Sequence, residues 1–292
     1  MTATVGVVGL GVMGGRIAGR LLDSGYTVVG TNRTPERAAP LVERGLLWRD
    51  TPRQAAAEAD VVLSSVADDA ALDAVATGSD GILAGLRPRT VYADMSTVSP
   101  QVSQGLAQRV RRLGAEMLDA PVSGSAPQAE AGQLTIMVGG AERAYERVLP
   151  VLRKLGSVVR IGENGQGLLL KLAINISLAE QIVAFGEGVL LAERGGIDRR
   201  LAVDVMTASA IGSPLLKGRA PLVVDPTGPV WFDIALMQKD LGLALDAARQ
   251  LGVPLPTTAA ANDLLTLARR LGYERRDIAS VHEVLADVAD ER

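Results

Sequence analysis

The stretch Thr4-Val-Gly-Val-Val-Gly-Leu-Gly-Val-Met-Gly14 constrains this chain more than any other. It sets a G-x-G-x-x-G (Gly9, Gly11, Gly14) between an apolar run that reads as a buried strand and a segment, Val12 to Leu22, with helical spacing. The first glycine makes the tight turn, the second lets the backbone approach a pyrophosphate, and the third allows a helix to pack closely on the strand. The helix then presents unbonded N–H groups and its positive dipole end to the phosphates. A glycine-rich turn by itself is a weak signal. In this strand–turn–helix setting it reads as a dinucleotide site, with Gly9, Leu10, Gly11, Val12, Met13 and Gly14 as cofactor residues.

The residues that follow repeat the alternation. Tyr26 to Gly30 reads as a second strand, and further apolar runs stand at Val61 to Val66, Thr90 to Asp94, Ala115 to Leu118, Gln133 to Val138 and Val158 to Ile161. Segments with helical spacing, such as Pro52 to Glu58 and Gln101 to Leu113, separate them. Strands apolar on both faces and alternating with helices imply a mostly parallel sheet covered on both sides. Beyond Gly165 the pattern changes. Gln166 to Arg194 has no proline and reads as one long, nearly all-round apolar helix, buried inside the chain or against a second subunit. Helical stretches follow at Arg199 to Ala208, Asp233 to Gln250, Thr257 to Leu271 and Ile278 to Ala289, punctuated by prolines including Pro214 and Pro221. The expected architecture is α/β: a dinucleotide-binding domain over 1–163 and an all-helical domain over 164–292.

Composition narrows the chemistry. The 292 residues include no cysteine and one histidine, His282, which excludes thiolate nucleophiles, disulfides and zinc or iron–sulfur ligation by cysteine. No metal site is expected. Proton chemistry falls to Lys, Asp, Glu or Tyr, and His282 reads as a helix residue with no partner nearby. A formal charge of −3 and few aromatics (two Phe, two Trp, four Tyr) argue against nucleic acid and anionic membranes as partners. The longest apolar stretch is interrupted by Lys171, Glu180 and Glu187, so a membrane span is not expected, and the location expected is cytoplasmic.

Five further features bear on function. The second strand ends in Asn32-Arg33-Thr34 with Arg37 one turn on, where an acidic residue would bind the ribose hydroxyls of NAD. A guanidinium suits a 2′-phosphate, so NADPH is favoured and NAD is the alternative. Lys171, one of only four lysines, sits near the start of the most apolar helix with Asn175 four residues on. An ammonium accepted there reads as a proton donor, and otherwise as a lysine reaching out from a helix end. Asp119-Ala-Pro-Val-Ser-Gly-Ser125 offers backbone N–H groups and a hydroxyl to a carboxylate or oxyanion, although a plain Ser-Gly turn would look the same. Asp94-Met-Ser-Thr97 ends a parallel strand, the edge where ligands collect. Lys239-Asp240 is an adjacent pair on a helix, which could equally be exposed charge.

Jointly these motifs resemble the β-hydroxyacid dehydrogenase family, in order and spacing, over essentially the whole chain. The resemblance implies a Rossmann domain, a long interdomain helix, and a helical domain that packs into homodimers or homotetramers. It implies Lys171 as the catalytic acid/base. Ser123 and Gly124, with Ser96 or Thr97, would hold a small carboxylate substrate, and Asn175 would orient it. Lys239 would close the site near the nicotinamide, with Asp240 on the substrate side and Val66 and Thr97 against the cofactor. Asn32-Arg33-Thr34, Asp94-Met-Ser-Thr97, Ser125 and Phe232 look most like the NADPH-dependent glyoxylate and succinic semialdehyde reductases. Ala126-Pro-Gln128 departs from the plant members and leaves the substrate open. The alternatives are oxidation of 3-hydroxyisobutyrate or a similar β-hydroxy acid, a non-catalytic NADP-binding protein, and an imine reductase. Imine reductases share the architecture but usually replace the lysine with Asp or Tyr.

Overall fold

The structure, a computed structural model, describes residues 3–290 and divides into two compact units, one ending at Lys171 and the other starting at Leu172. The first unit holds strands β1 Thr4–Val8, β2 Thr27–Thr31, β3 Leu47–Trp48, β4 Val61–Ser64, β5 Val91–Asp94, β6 Glu116–Asp119, β7 Val122–Ser123, β8 Leu134–Gly139 and β9 Gly156–Gly162. Its helices are α1 Val12–Asp23, α2 Ala39–Glu43, α3 Pro52–Glu58, α4 Asp69–Ala76, α5 Ile82–Gly85, α6 Pro100–Arg112, α7 Ala126–Ala131 and α8 Glu142–Leu152. The sheet runs β3-β2-β1-β4-β5-β6-β8-β7, with β9 also paired to β8. The run from β3 to β6 is parallel, and β8 pairs antiparallel with β6 and β7.

Why these strands look uniformly apolar follows from their two faces. On β1, Val5 and Val7 join the core formed with Ile17 and Leu21 of α1, whereas Val8 joins the opposite core with Ala56 of α3 and Leu72 of α4. On β5, Val91 and Ala93 face the first layer and Tyr92 the second. Side chains alternate across a strand, so both alternating sets must be apolar when helices cover both faces. Two strands escaped the sequence reading, β3 and β7. Each is two residues long, too short for any period to show.

The second unit contains most of α9 (Gln166–Arg194), then α10 Arg199–Ala208, α11 Pro214–Val224, α12 Ile234–Leu251, α13 Pro256–Arg270 and α14 Val281–Asp290. Ala179, Ile182, Phe185 and Val189 form the inward stripe of α9 against Ile234, Met237 and Leu241 of α12 and Leu265 of α13. The long helix is therefore not buried all round: Leu170 and Leu191 are exposed. Length and composition would let α9 cross a bilayer, yet it carries Lys171, Glu180, Glu187 and Glu193, and its inward stripe belongs to the helical core. Pro214 and Pro221 do not interrupt the helices as expected. Pro214 starts α11 behind its cap Ser213, whose Oγ accepts the Leu216 N–H at 3.2 Å, and Pro221 lies inside the same helix. A proline fits the first turn because that N–H has no helical partner.

The division between the units falls inside α9 rather than before it. Leu168, in the first turn of that helix, is fully buried in the core over the sheet, so this turn belongs to the first unit.

Candidate functional site

The glycine turn is built by close approach. Gly9, at φ +89°, donates its N–H to Thr31 O (3.0 Å), and a Cβ there would lie 2.4 Å from Ser65 O. A Cβ on Gly14 would lie 1.9 Å from Gly9 O, so α1 packs onto the turn without room for a methyl group. Above the turn the space is open: an added Cβ on Gly11 meets nothing within 4 Å, and Val12 is 60% exposed. No side chain caps α1 and no acid stands in its first turn, so its first N–H groups and dipole remain for an anion. These features fit a dinucleotide pyrophosphate. Leu10, expected among the cofactor residues, has a buried side chain and donates its N–H to Asn32 Oδ1 at 3.0 Å, and it lines the groove beside the turn.

Asn32 also donates from Nδ2 to Thr34 O (2.9 Å), tying the end of β2 to the glycine turn. That tether presents Arg33, Thr34 and Arg37 to solvent. Among the described residues neither of these two guanidinium groups makes an ion pair. A groove of about 690 Å³ runs beside them, lined by Gly11, Val12, Arg16, Arg37, Leu41 and Arg44.

At the next strand ends a buried polar cluster forms. Asp94 Oδ1 accepts from Ser64 Oγ (2.6 Å), Ser96 Oγ (2.7 Å) and Ser96 N–H (3.3 Å), while its Oδ2 is buried without a hydrogen bond. Burial pushes this carboxyl above its ordinary range against the pull of the serine hydrogen bonds, and the charge of Asp119 on the neighbouring strand adds to the rise. Burial, followed by the charge of Asp94, likewise raises the Tyr92 hydroxyl well above its usual value. Ser96 corrects the sequence reading. It is 3% exposed, donates to Asp94 and accepts the Val66 N–H (2.9 Å), so it shapes the Val66 loop instead of reaching a substrate. Thr97, the other candidate, is half-buried.

The loop after β6 holds Ser123 half-buried in β7 and Gly124 exposed at φ +130°. The unexpected Ala126-Pro-Gln128 forms the first turn of α7, where Gln128 Oε1 accepts the Ser125 N–H at 3.0 Å. Asp119 has a role the sequence did not suggest. Its fully buried carboxylate accepts the Gly165 N–H (2.7 Å) and the Leu168 N–H (3.0 Å), capping α9. Burial drives its pKa up, and those two N–H groups oppose the rise. Lys171 lies half-buried one turn further along α9 and is the last residue of the first unit.

Within the helical unit the buried Asn175 donates from Nδ2 to Asp240 Oδ2, and Asp240 pairs with Lys239 Nζ at 2.8 Å. Lys239-Asp240 is thus not a pair of exposed charges: Asp240 is 2% exposed. Phe232, half-buried, donates its N–H to Asp277 Oδ2 at 3.1 Å. His282 is a second correction. It is buried on α14 with Nε2 against Glu193 Oε2, and Arg199 holds the other oxygen of Glu193 at 2.7 Å. This partner lies 89 residues away, so local sequence could not reveal it. Burial opposes ionisation of Glu193, but the bonds from Arg199 and His282 leave it below its ordinary range. Among the described residues no cluster of His, Asp and Glu is arranged to hold a metal.

A glycine turn opening a doubly wound sheet, followed by this helical unit, defines an NAD(P)-dependent oxidoreductase, and comparison with known proteins narrows the class. Residues 4–162 match the NAD-binding domain of 6-phosphogluconate dehydrogenase, and residues 165–285 match the NAD-binding domain of NADP-dependent 3-hydroxyisobutyrate dehydrogenase. The chain is 33% identical over 285 residues to glyoxylate/succinic semialdehyde reductase 2 of Arabidopsis thaliana, covering 97% of this chain and 80% of the relative. It superposes on 3-hydroxyisobutyrate dehydrogenase from Salmonella typhimurium with TM-score 0.89 at 32% identity, covering 97% and 99% of the two chains. The Mycobacterium tuberculosis 3-hydroxyisobutyrate dehydrogenase with L-serine gives 0.87 at 30% identity, covering 98% and 99%. The chain belongs to the β-hydroxyacid dehydrogenase family.

Proposed function

We propose that the protein reduces a small carbonyl carboxylate, of the glyoxylate or succinic semialdehyde type, to the hydroxy acid using NADPH, with Lys171 as the general acid. The observation that carries the cofactor choice is the end of β2, where Asn32 replaces an acid and tethers a loop presenting Arg33 and Arg37. A guanidinium there favours a 2′-phosphate, whereas an acid would repel it. The substrate class is supported by the Arabidopsis relative's activity.

When bound, NADPH supplies the hydride. The chain's own residues do the rest. Ser123, Gly124 and Thr97 hold the substrate carboxylate through hydroxyl and backbone donors. Lys171 gives a proton from Nζ to the carbonyl oxygen as negative charge develops there. Asn175 orients the substrate, its amide fixed beforehand by the bond to Asp240. A second reading, oxidation of a 3-hydroxyisobutyrate-like acid with Lys171 as base, is favoured by the two solved structures and by the match of residues 165–285. A homo-oligomer is also proposed, joined through the exposed Leu191, Leu201 and Val205, and light scattering in solution tests it.

The experiment measures NADPH and NADH oxidation with glyoxylate and succinic semialdehyde, and NADP+ reduction with 3-hydroxyisobutyrate, for wild type, Lys171→Ala and Arg33→Ala. Loss of the acid should lower turnover about 10²–10⁴-fold. Loss of Arg33 should raise the NADPH KM about 10–100-fold, as for a charged hydrogen bond of about 1.5–3 kcal/mol, and leave NADH unaffected. Near-normal turnover of Lys171→Ala would sink the acid assignment. Faster reaction with 3-hydroxyisobutyrate than with either aldehyde would favour the second reading.

A further inference from the structure

The first turn of α9 is fastened to the sheet by a buried carboxylate. Asp119 ends β6, and its carboxylate takes two of the N–H groups that a helix start leaves unbonded, those of Gly165 and Leu168. The fit around it is tight. A Cβ on Gly167 would lie 2.5 Å from Met137 O and 2.8 Å from Asp119 Oδ2, and Asn164 Nδ2 adds a bond to Met117 O at 2.9 Å. Lys171 follows Leu168 by three residues and Gly167 by four, so it continues the helix face that this clamp presses against the sheet. The carboxylate can do this only while both oxygens accept, because its two partners are both donors.

We propose that Asp119 is the positioning residue for Lys171, setting the height of its Nζ above the strand ends so that proton delivery coincides with reduction of the carbonyl. This rests on Lys171 being the acid. Asp119→Asn keeps the volume but turns one acceptor into a donor facing an N–H. The first turn of α9 then shifts or loses a bond, and a misplacement of about 1 Å typically costs about 10²-fold in rate.

The test is a double-mutant cycle on single-turnover NADPH oxidation with saturating substrate, using Asp119→Asn, Lys171→Ala and the pair, each checked for stoichiometric NADPH binding. Asp119→Asn alone should lower the rate about 10–100-fold, with the dissociation constant for NADPH within about twofold of wild type. In the Lys171→Ala background the same substitution should cost less than about threefold, because the group it positions is gone. Equal losses in both backgrounds, or no loss in the single variant, would overturn the proposal. Should Lys171→Ala keep the wild-type rate, the acid assignment fails on that arm alone, whatever Asp119→Asn does. If Asp119→Asn does not bind NADPH stoichiometrically, Gly167→Ala replaces it in the cycle. That variant lifts the same turn by crowding Met137 O and Asp119 Oδ2 while keeping the carboxylate's two acceptor oxygens in the sequence, and it must show the same split or the proposal falls.

Discussion

Asp277 holds the helical unit at its most charged buried point, and replacing it with Asn should have a large, measurable cost. Its Oδ2 pairs with Arg219 and also accepts the N–H groups of Trp231 (2.9 Å) and Phe232 (3.1 Å), while Oδ1 accepts from Ala279 at 3.0 Å. Both charged side chains are only 7% exposed, and the Arg219 guanidinium stacks 5.1 Å from the Trp231 ring. Removing one charge of a buried pair strands the other, which costs about 3–5 kcal/mol. At a urea slope of about 2 kcal/mol per molar, the midpoint should fall by about 1.5–2.5 M. The two tryptophans make the assay clean. Trp48 lies in the first unit and Trp231 in the second, so a Trp48→Phe background reports unfolding of the helical unit alone. The further change Arg219→Met should recover part of the loss, because no orphaned guanidinium remains. A midpoint within about 0.5 M of the parent, or a double variant as unstable as the sum of the singles, would refute the account.

Three more outcomes follow from the geometry. Gly14→Ala places a methyl 1.9 Å from Gly9 O, and the overpacking of about 1–3 kcal/mol should weaken NADPH binding about 10–100-fold by calorimetry. A dissociation constant within twofold of wild type would contradict the close approach. Asp94 has a raised folded pKa, so its stabilising share is present in acid and is lost as pH rises through that value. Melting temperatures of Asp94→Asn should gain on wild type as pH rises from the ordinary carboxylate range through the raised folded value, and parallel curves would be the wrong result. Glu193 has the opposite sign: its folded pKa is depressed, so its stabilising share is present above the ordinary carboxylate value and is lost as pH falls through the depressed one. Glu193→Gln should therefore be less stable than wild type at neutral pH and converge with it in acid, which thermal melts across that range would show.

What the sequence made legible and what it hid divide along a physical line. Residue type and local spacing carry the glycine turn, because only glycine fits where a Cβ would meet Gly9 O or Ser65 O. They also carry the alternation of apolar strands and helices, and the span of α9, whose bounds match the apolar run between Gly165 and Gly195. The hidden part is every pairing closed across the chain. Ser96 reads as a ligand hydroxyl until its bonds to Asp94 and to Val66, 30 residues away, are seen. His282 reads as unpartnered until α9 brings Glu193 beside it. Asp119 reads as part of a carboxylate-binding loop, and nothing in Asp119-Ala-Pro-Val-Ser-Gly124 announces that its side chain caps a helix beginning 47 residues later. The same asymmetry bears on Lys171. A lone lysine in an apolar helix is conspicuous by type, so the proposed proton donor can be picked out from the sequence. Its reach depends on where that helix starts against the sheet, and this start is fixed by a carboxylate whose partners are backbone N–H groups. Backbone partners leave no trace in residue type, so a substitution at Gly167 or Asp119 should alter the chemistry of Lys171 while every residue that reads as catalytic stays in place.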